Sequence, residues 1–90
     1  MMVVSYDISD DLLRSRFSRM LTKNGAVRLQ YSVYEIRNTK RVMDNIKTKI
    51  DAYFLPKFTG ADSIMLFSVD DDTVVKYGNA IHRDQSLIIL

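Results

Sequence analysis

VRLQYSVYEI, residues 27–36, alternates apolar and polar side chains and therefore predicts a β-strand. One face carries Val27, Leu29, Tyr31 and Val33, and the other carries Arg28, Gln30, Ser32 and Tyr34. Because Tyr31 falls on the apolar side, we expect its ring to pack against the core.

A helical pattern precedes this strand. Ser9, Asp10 and Asp11 offer an N-cap and acidic side chains for a first helical turn. The apolar positions that follow are spaced for one face of a helix: Leu13, Phe17, Met20 and Leu21. Asn24-Gly25 then supplies a C-terminal stop, because glycine adopts the left-handed backbone conformation readily.

A second helical pattern follows the strand. It begins at the capping pair Asn38-Thr39 and ends at Pro56. The side chains on its predicted buried face are Val42, Met43, Ile46, Ile50, Tyr53 and Phe54.

Further apolar runs predict strands at 3–6, 63–69 and 86–90, with a weaker strand at 74–77. The resulting order predicts a single α+β domain, residues 1–90, of the ferredoxin-like βαββαβ type with an additional C-terminal strand at about 80–90. That fold has a hairpin between its helices, yet residues 26–38 show no obvious internal turn. Either this strand bends partway along, or its neighbour comes from another subunit.

The apolar C-terminal strand also bears on assembly. Left unpaired it would be prone to aggregation, so it is expected to pair with a sheet edge. Its own sheet and a partner subunit's sheet both remain open, with the partner's sheet favoured.

The chain has 90 residues and no cysteine, which suits one small domain without disulfides or thiolate metal sites. A domain of this size buries only about 60–65% of its unfolded surface, so dimerisation is a way to cover more apolar area. Ser5 and Asp7 interrupt the apolar N-terminus, and no run is long enough to span a membrane. We therefore expect a cytoplasmic homodimer with no membrane partner.

Charge is distributed unevenly along the chain. Residues 12–50 contain ten Lys and Arg residues against two acidic residues, whereas the rest contains three basic and nine acidic residues. Such asymmetry is typical of a polyanion-binding face on an otherwise acidic protein. Two solvated helices with basic polar faces are the alternative, and charge alone does not decide between them.

Arginines cluster on and beside the first helix. Arg16, Arg19 and Lys23 are spaced to form one exposed stripe, and Arg14 lies nearer the helix start. Arg28 projects from the polar face of the following strand. Guanidinium groups bind phosphate in a bidentate manner, so these arginines are candidate nucleic-acid ligands that hold a backbone without reading its sequence.

Asp7 is the candidate catalytic and metal-binding residue, because it ends the first strand just before a helix N-terminus. Mg²⁺ suits such a position, since it needs few protein oxygens and keeps several waters. Two such carboxylates, one from each subunit of a symmetric dimer, would make a workable site. The alternative is that Asp7 caps the helix or pairs with an arginine, and the residues alone favour it.

Other polar residues support no catalytic site. Asp10 and Asp11 are explained by the helix start, and the triplet 70–72 lacks the spacing of a calcium loop. His82 has no nucleophile or acid at the spacing of a catalytic triad.

Three blocks resemble the CRISPR-associated protein two family: YDISDD at 6–11, LRSR at 13–16 and RLQYSVY at 28–34. The likeness runs through the first forty residues in order and spacing, and after about Thr39 only the element order supports it. The family's usual phenylalanine at the end of the third block is Tyr34 here.

The resemblance implies a ferredoxin-like homodimer that bridges integrase subunits and holds duplex DNA during spacer acquisition. It also implies a Mg²⁺-dependent nuclease acting on RNA or DNA, with Asp7 as metal ligand, arginines at Arg14, Arg16 and Arg28, and Tyr6 and Tyr34 as supporting residues. With the resemblance included, a functional Asp7 is favoured over a structural one. A toxin-like endoribonuclease outside a CRISPR system is the second hypothesis. An RNA-recognition module is disfavoured, since residues 63–69 lack its aromatic motif.

Overall fold

Residues 1–78 are described by the computed structural model, and they form one antiparallel sheet covered on one face by helices. In chain order the elements are β1 (Met2–Asp7), α1 (Asp11–Lys23), β2 (Val27–Gln30), β3 (Val33–Ile36), α2 (Lys40–Lys49) and β4 (Ser63–Ser68). The sheet order is β2-β3-β1-β4, with every neighbouring pair antiparallel. This is the ferredoxin-like arrangement, so the predicted α+β fold class is confirmed.

Helix α1 begins and ends where the sequence predicts. The Asp10 carboxylate accepts the backbone N–H of Leu13 at 2.8 Å, which makes Asp10 the N-cap. Asn24 is the C-cap, and Gly25 follows with a φ of +87°. The predicted apolar stripe is buried in full: Leu13, Phe17, Met20 and Leu21.

Helix α2 is capped by Thr39 and continues beyond its regular part. A π-helical turn, Ile50–Phe54, and a 3₁₀ turn, Leu55–Lys57, extend it to the region of the predicted stop at Pro56. The wider π turn re-aims the side chains, so that Phe54 is buried against Phe17 with ring centroids 5.0 Å apart.

The stretch 27–36 is a hairpin and not one strand. Gln30 pairs with Val33, which leaves Tyr31 and Ser32 as a two-residue turn. Ser32 has a φ of +65°, a left-handed conformation that tight hairpin turns require. Of the two alternatives left open, the chain itself turns, and the neighbour of β2 is β3 of the same subunit.

The hydrophobic core lies between the helices and one face of the sheet. Val4 and Tyr34 are paired across β1 and β3, and both are buried on this face. The expected orientation of the two tyrosines is therefore reversed: Tyr34 packs in the core, whereas Tyr31 at the turn is 68% exposed. The prediction that Tyr31 packs is wrong, because the turn ends the alternation on which it was based.

The other face of the sheet, here called the open face, carries the exposed apolar side chains Val27, Met65 and Phe67. The segment after β4 folds back over part of this face, where the Lys76 ammonium donates to the Glu35 carboxylate at 2.6 Å. Residues 74–77 form no strand, so that prediction is wrong. The strand predicted at 86–90 lies outside the described residues, and no helix within residues 1–78 is long and apolar enough to cross a bilayer.

Candidate nucleic-acid interface

Most of the predicted site residues lie near one end of the sheet, where β1 finishes. The end of β1, the β2–β3 turn and the start of α1 meet there, and the Tyr6 N–H donates to the Ser32 carbonyl at 3.1 Å. The start of β4 lies at the same end, since Asp7 pairs with Ser63. Residues distant in sequence are thus brought together by the antiparallel registers.

A cleft of about 520 Å³, here called the hairpin cleft, lies between α1 and the β2–β3 hairpin. It contains five of the predicted residues, namely Tyr6, Arg14, Arg19, Arg28 and Tyr34. Ser15, Ser18, Thr22, Tyr31 and Ser32 complete its lining, and none of the lining residues is acidic. Guanidinium and hydroxyl groups without a carboxylate suit an anionic ligand that accepts hydrogen bonds.

Arg14 is anchored within its own subunit. One terminal nitrogen donates to the Ile8 carbonyl at 3.0 Å and the other to the Asp11 carboxylate at 2.5 Å, and this bond to Asp11 raises the pKa of Arg14. Arg28 is exposed, with its guanidinium carbon 5.4 Å from the ring centroid of Tyr31. Arg28 therefore has more donors available for a ligand than Arg14 has.

Two buried tyrosines form the inner wall of the cleft. The hydroxyls of Tyr34 and Ser18 are hydrogen-bonded at 2.5 Å, which links β3 to α1. The rings of Tyr6 and Tyr34 are stacked with centroids 6.2 Å apart. Burial, reinforced by the neighbouring Tyr34, raises the pKa of Tyr6, so its hydroxyl is neutral at physiological pH.

A second basic depression, here called the helix groove, lies beside α1 near the end of α2. It is lined by Arg16, Arg19, Lys23 and Lys49, together with Met20 and Asn24. Arg16 donates to the Tyr53 hydroxyl at 2.6 Å, which holds its side chain across toward the π turn. Arg19 lines both the hairpin cleft and the helix groove, so the two form one continuous basic track over α1.

Asp7 lies apart from this track. It is not among the residues that line the hairpin cleft or the helix groove. The register of β1 with β4 places Asp7 on the open face, in line with the pairs Ser5–Met65 and Val3–Phe67. Tyr6, one residue earlier, lies on the helix-covered face.

The Asp7 carboxylate is exposed and makes no hydrogen bond or ion pair with any described residue. Neither structural alternative for Asp7, capping of the helix or pairing with an arginine, is therefore observed among residues 1–78. Asp10 caps α1, and Arg14 pairs with Asp11. Whether Asp7 acts in catalysis or binds metal stays a prediction.

Asp62 has a structural role at the same end of the sheet. Its carboxylate accepts the N–H of Thr59 at 2.9 Å and both the N–H and the hydroxyl of Ser9 at 2.8 Å. These bonds, from Thr59 first and then from Ser9, lower the pKa of Asp62. The loop after β1 is thus tied to the loop before β4, which fixes the surroundings of Asp7.

Few metal donors lie close together in this part of the chain. Within residues 1–78, no group of three or more His, Cys, Asp or Glu side chains is placed to hold a metal ion. A single exposed carboxylate fits Mg²⁺ only where waters, phosphate oxygens or a second protein copy supply the other ligands. Asp7 is consistent with one ligand of such a shared site.

Two residues of this interface were missed from the sequence. Tyr31 was assigned to the core, and Lys49 was not connected with the arginines of α1. The local signal for a turn at Tyr31-Ser32 is weak, because serine favours turns less strongly than asparagine or aspartate and tyrosine is common in strands. Lys49 approaches α1 only through the packing of α2.

Fold and site together define an α+β ferredoxin-like protein with a basic track on its helix layer. The family model described as CRISPR associated protein Cas2 matches residues 1–77. The chain therefore belongs to the Cas2 family.

Individual relatives come from two strains of Thermus thermophilus. A CRISPR-associated endoribonuclease Cas2 from one strain and a CRISPR-associated endoribonuclease Cas2 1 from the other are each 36% identical over 66 residues, which covers 61% of this chain and 69% of the relative. The crystal structure of the hypothetical protein TT1823 from the same species superposes with a TM-score of 0.64 at 24% identity, covering 77% of this chain and 79% of that one. At that identity the structural likeness concerns the fold.

Proposed function

We propose that this Cas2-family protein acts in spacer acquisition as a homodimer that holds duplex DNA for the integrase. The observation that carries the proposal is the continuous track of Arg14, Arg28, Arg19 and Arg16 over α1, in a member of a CRISPR family. Guanidinium groups along such a track can bind successive phosphates of a nucleic acid backbone, and these contacts carry no base preference.

The open face supports dimerisation. Met65 and Phe67 are 59% and 43% exposed on an edge strand, and Val27 lies on the same face at the far side of the sheet. Apolar side chains spread over a sheet face are a suitable surface for a second copy of the chain. A dimer that covers this face would bring the two Asp7 carboxylates to the same side as the interface.

Asp7 is the proposed metal ligand and catalytic carboxylate. Bound Mg²⁺ would supply charge neutralisation for a phosphodiester and activation of water. The chain's own contribution is to hold at a fixed strand end a carboxylate that has no partner within residues 1–78. The backbone of Asp7 is fixed by pairing with Ser63 of β4, and the Asp62 bonds secure the adjacent loop.

DNA retention tests the scaffold function. The double variant Arg19→Glu/Arg28→Glu reverses two charges of the track, and these residues have no ion pair within residues 1–78. A gel shift with integrase and duplex DNA is expected to show salt-sensitive binding by the wild type and loss of binding by this variant.

The matched control is Lys40→Glu/Arg41→Glu, which makes the same charge change at the start of α2, outside the hairpin cleft and the helix groove. It should leave retention nearly intact. Equal loss in both variants would mean that net charge, and not the track, governs binding.

A second candidate is an endoribonuclease that acts independently of spacer acquisition. It is favoured by the relatives from Thermus thermophilus, whose names describe them as endoribonucleases. In this chain the proposal depends on Asp7 and predicts Mg²⁺-dependent cleavage of RNA.

Cleavage is expected to disappear both in EDTA and in Asp7→Asn. The matched control is Asp72→Asn, which neutralises another exposed carboxylate. Asp72 follows β4 at the opposite end of the sheet from Asp7. Metal-dependent cleavage by Asp7→Asn at the wild-type rate would exclude Asp7 as the catalytic ligand.

A further inference from the structure

Arg16 of the basic track is tied to the second helix of the layer. Its guanidinium donates to the Tyr53 hydroxyl at 2.6 Å, although the two residues are 37 positions apart in the chain. Arg16 lies on α1, whereas Tyr53 belongs to the π turn that extends α2. The hydrogen bond therefore fixes a candidate phosphate-binding group from outside its own helix.

The π turn places the Tyr53 hydroxyl within reach of α1. The N–H of Leu55 bonds to the carbonyl of Ile50, five residues earlier, so this turn is wider than a regular helical turn. Phe54 is buried in the core, and the half-buried Tyr53 packs on it edge to face with ring centroids 4.9 Å apart. Single π turns within α-helices occur frequently at functional sites.

A hydroxyl orients Arg16 without neutralising its charge. Within residues 1–78, no carboxylate forms an ion pair with Arg16, whereas Arg14 is paired with Asp11. A guanidinium has several N–H donors, and the bond to Tyr53 uses only one of them. Arg16 thus keeps its charge and most of its donors for a phosphate, while the direction of its side chain is restricted.

The same tyrosine also holds Lys57. The Lys57 ammonium lies 3.8 Å from the centroid of the Tyr53 ring and donates to the Tyr53 carbonyl at 3.4 Å. A cation is attracted to the face of an aromatic ring, so this contact depends on the ring and not on the hydroxyl. Tyr53 therefore contacts Arg16 through its hydroxyl and Lys57 through its ring, and the two contacts can be separated by substitution.

We propose that Tyr53 is a positioning residue for nucleic acid binding, whose hydroxyl holds the Arg16 guanidinium at the helix groove where it binds a backbone phosphate. This inference rests on the proposed function, because it takes the basic track as the surface that binds duplex DNA. An unrestrained arginine loses rotamer freedom on binding, which weakens affinity by about 2- to 10-fold for each such side chain. The bond to Tyr53 restricts Arg16 before DNA binds, so this loss is reduced.

One substitution separates positioning from packing. Tyr53→Phe removes the hydroxyl and keeps the ring, so the contacts with Phe54 and Lys57 are retained. Anisotropy of a labelled duplex should show about 2- to 10-fold weaker binding by Tyr53→Phe. Its salt slope should equal that of the wild type, because Arg16 still neutralises a phosphate. Tyr77→Phe is the matched control, since it removes the hydroxyl of an exposed tyrosine outside the hairpin cleft and the helix groove, and it should bind like the wild type.

The double variant Arg16→Ala/Tyr53→Phe identifies the residue through which Tyr53 acts. Arg16→Ala alone should make the salt slope shallower by about 0.9 for each copy that contacts the duplex. The double variant should have the affinity of Arg16→Ala, because the hydroxyl has no effect once the guanidinium is absent. NMR relaxation of the Arg16 Nε–H group, measured without DNA, should show a more mobile side chain in Tyr53→Phe than in the wild type.

Equal binding by Tyr53→Phe and the wild type, or an unchanged mobility of Arg16, would overturn the role of Tyr53 and leave the proposed function intact. An equally large effect of Tyr53→Phe with and without Arg16 would also overturn it, since Tyr53 would then act by another route. Failure of the wild type to bind the duplex would overturn the proposed function, and the role of Tyr53 with it.

Discussion

Arg19 is the residue whose removal tests the basic track most directly. It lines both the hairpin cleft and the helix groove, and its guanidinium has no hydrogen-bond or ion-pair partner within residues 1–78. Arg14 and Arg16, in contrast, each use terminal donors within their own subunit. Arg19→Ala therefore removes a proposed phosphate-binding group without breaking a hydrogen bond or ion pair within residues 1–78.

The size of the effect follows from counterion release. Each phosphate neutralised on duplex DNA contributes about −0.9 to the slope of log K against log salt. Arg19→Ala should make that slope shallower by about 0.9, so that between about 50 and 200 mM salt the variant loses about 3.5-fold less affinity than the wild type. A dimer that places both copies of Arg19 on one duplex would double the change in slope to about 1.8.

Fluorescence anisotropy of a labelled duplex, repeated across a salt series, measures both slopes. Lys40→Ala is the matched control, since it also removes one positive charge but from an exposed pair with Asp44 that lies outside the track. Its slope should equal that of the wild type. The assignment of the track would be refuted if Arg19→Ala and Lys40→Ala changed the slope by the same amount.

Three further predictions concern stability, each measured by urea unfolding at one fixed protein concentration. Phe17→Ala should lower the free energy of unfolding by about 3–5 kcal/mol, because this buried ring packs edge to face on Tyr6 at 4.7 Å and on Phe54 at 5.0 Å; a loss below about 1 kcal/mol would contradict that packing. The hydrogen bonds of Asp62 lower its pKa, so their stabilisation is present above the unfolded pKa of about 3.9 and is lost as pH falls through the folded pKa. Asp62→Asn should therefore unfold at a lower urea concentration than the wild type at neutral pH, and the two urea midpoints should converge in acid. A difference between the midpoints that did not change with pH would show that the ionised Asp62 carboxylate is not the source of the stabilisation. Gly25→Ala should cost about 1–2 kcal/mol, because Gly25 has a φ of +87°, and an unchanged midpoint would argue against the left-handed helix end.

The helices could be predicted almost completely from the sequence, because their signals are local. Each signal of α1 can be identified from a short stretch of sequence: the capping carboxylate of Asp10, the apolar stripe and the glycine at the helix end. Strand β4 was also predicted, with one residue more at its end than is observed.

The hairpin could not be predicted in the same way. Tyr31 and Ser32 continue the apolar–polar alternation on paper, and only strand pairing forces Ser32 into a left-handed conformation. The faces of Tyr31 and Tyr34 were misjudged for that reason. The prediction of a strand at 74–77 is wrong, because Lys76 bonds to Glu35 across the open face and the segment pairs with no strand among the described residues.

The candidate site was predicted in its parts but not in its layout. Charge and spacing pointed to Arg14, Arg16, Arg19 and Arg28, and the structure gathers all four along one track. That Asp7 would face away from them depends on strand register, which the sequence of β1 alone does not define.

The alternation of neighbours along β1 has a consequence for how variants of this protein can be interpreted. Tyr6 faces the helix layer and Asp7 faces the opposite side, so the sheet separates the arginines proposed to bind nucleic acid from the carboxylate proposed to cleave it. The proposed binding surface and the proposed cleavage site therefore lie on different faces of the molecule, and a strand bound over α1 would have to pass around the end of the sheet to reach Asp7. If both proposed activities exist, a single substitution is expected to remove one of them and leave the other.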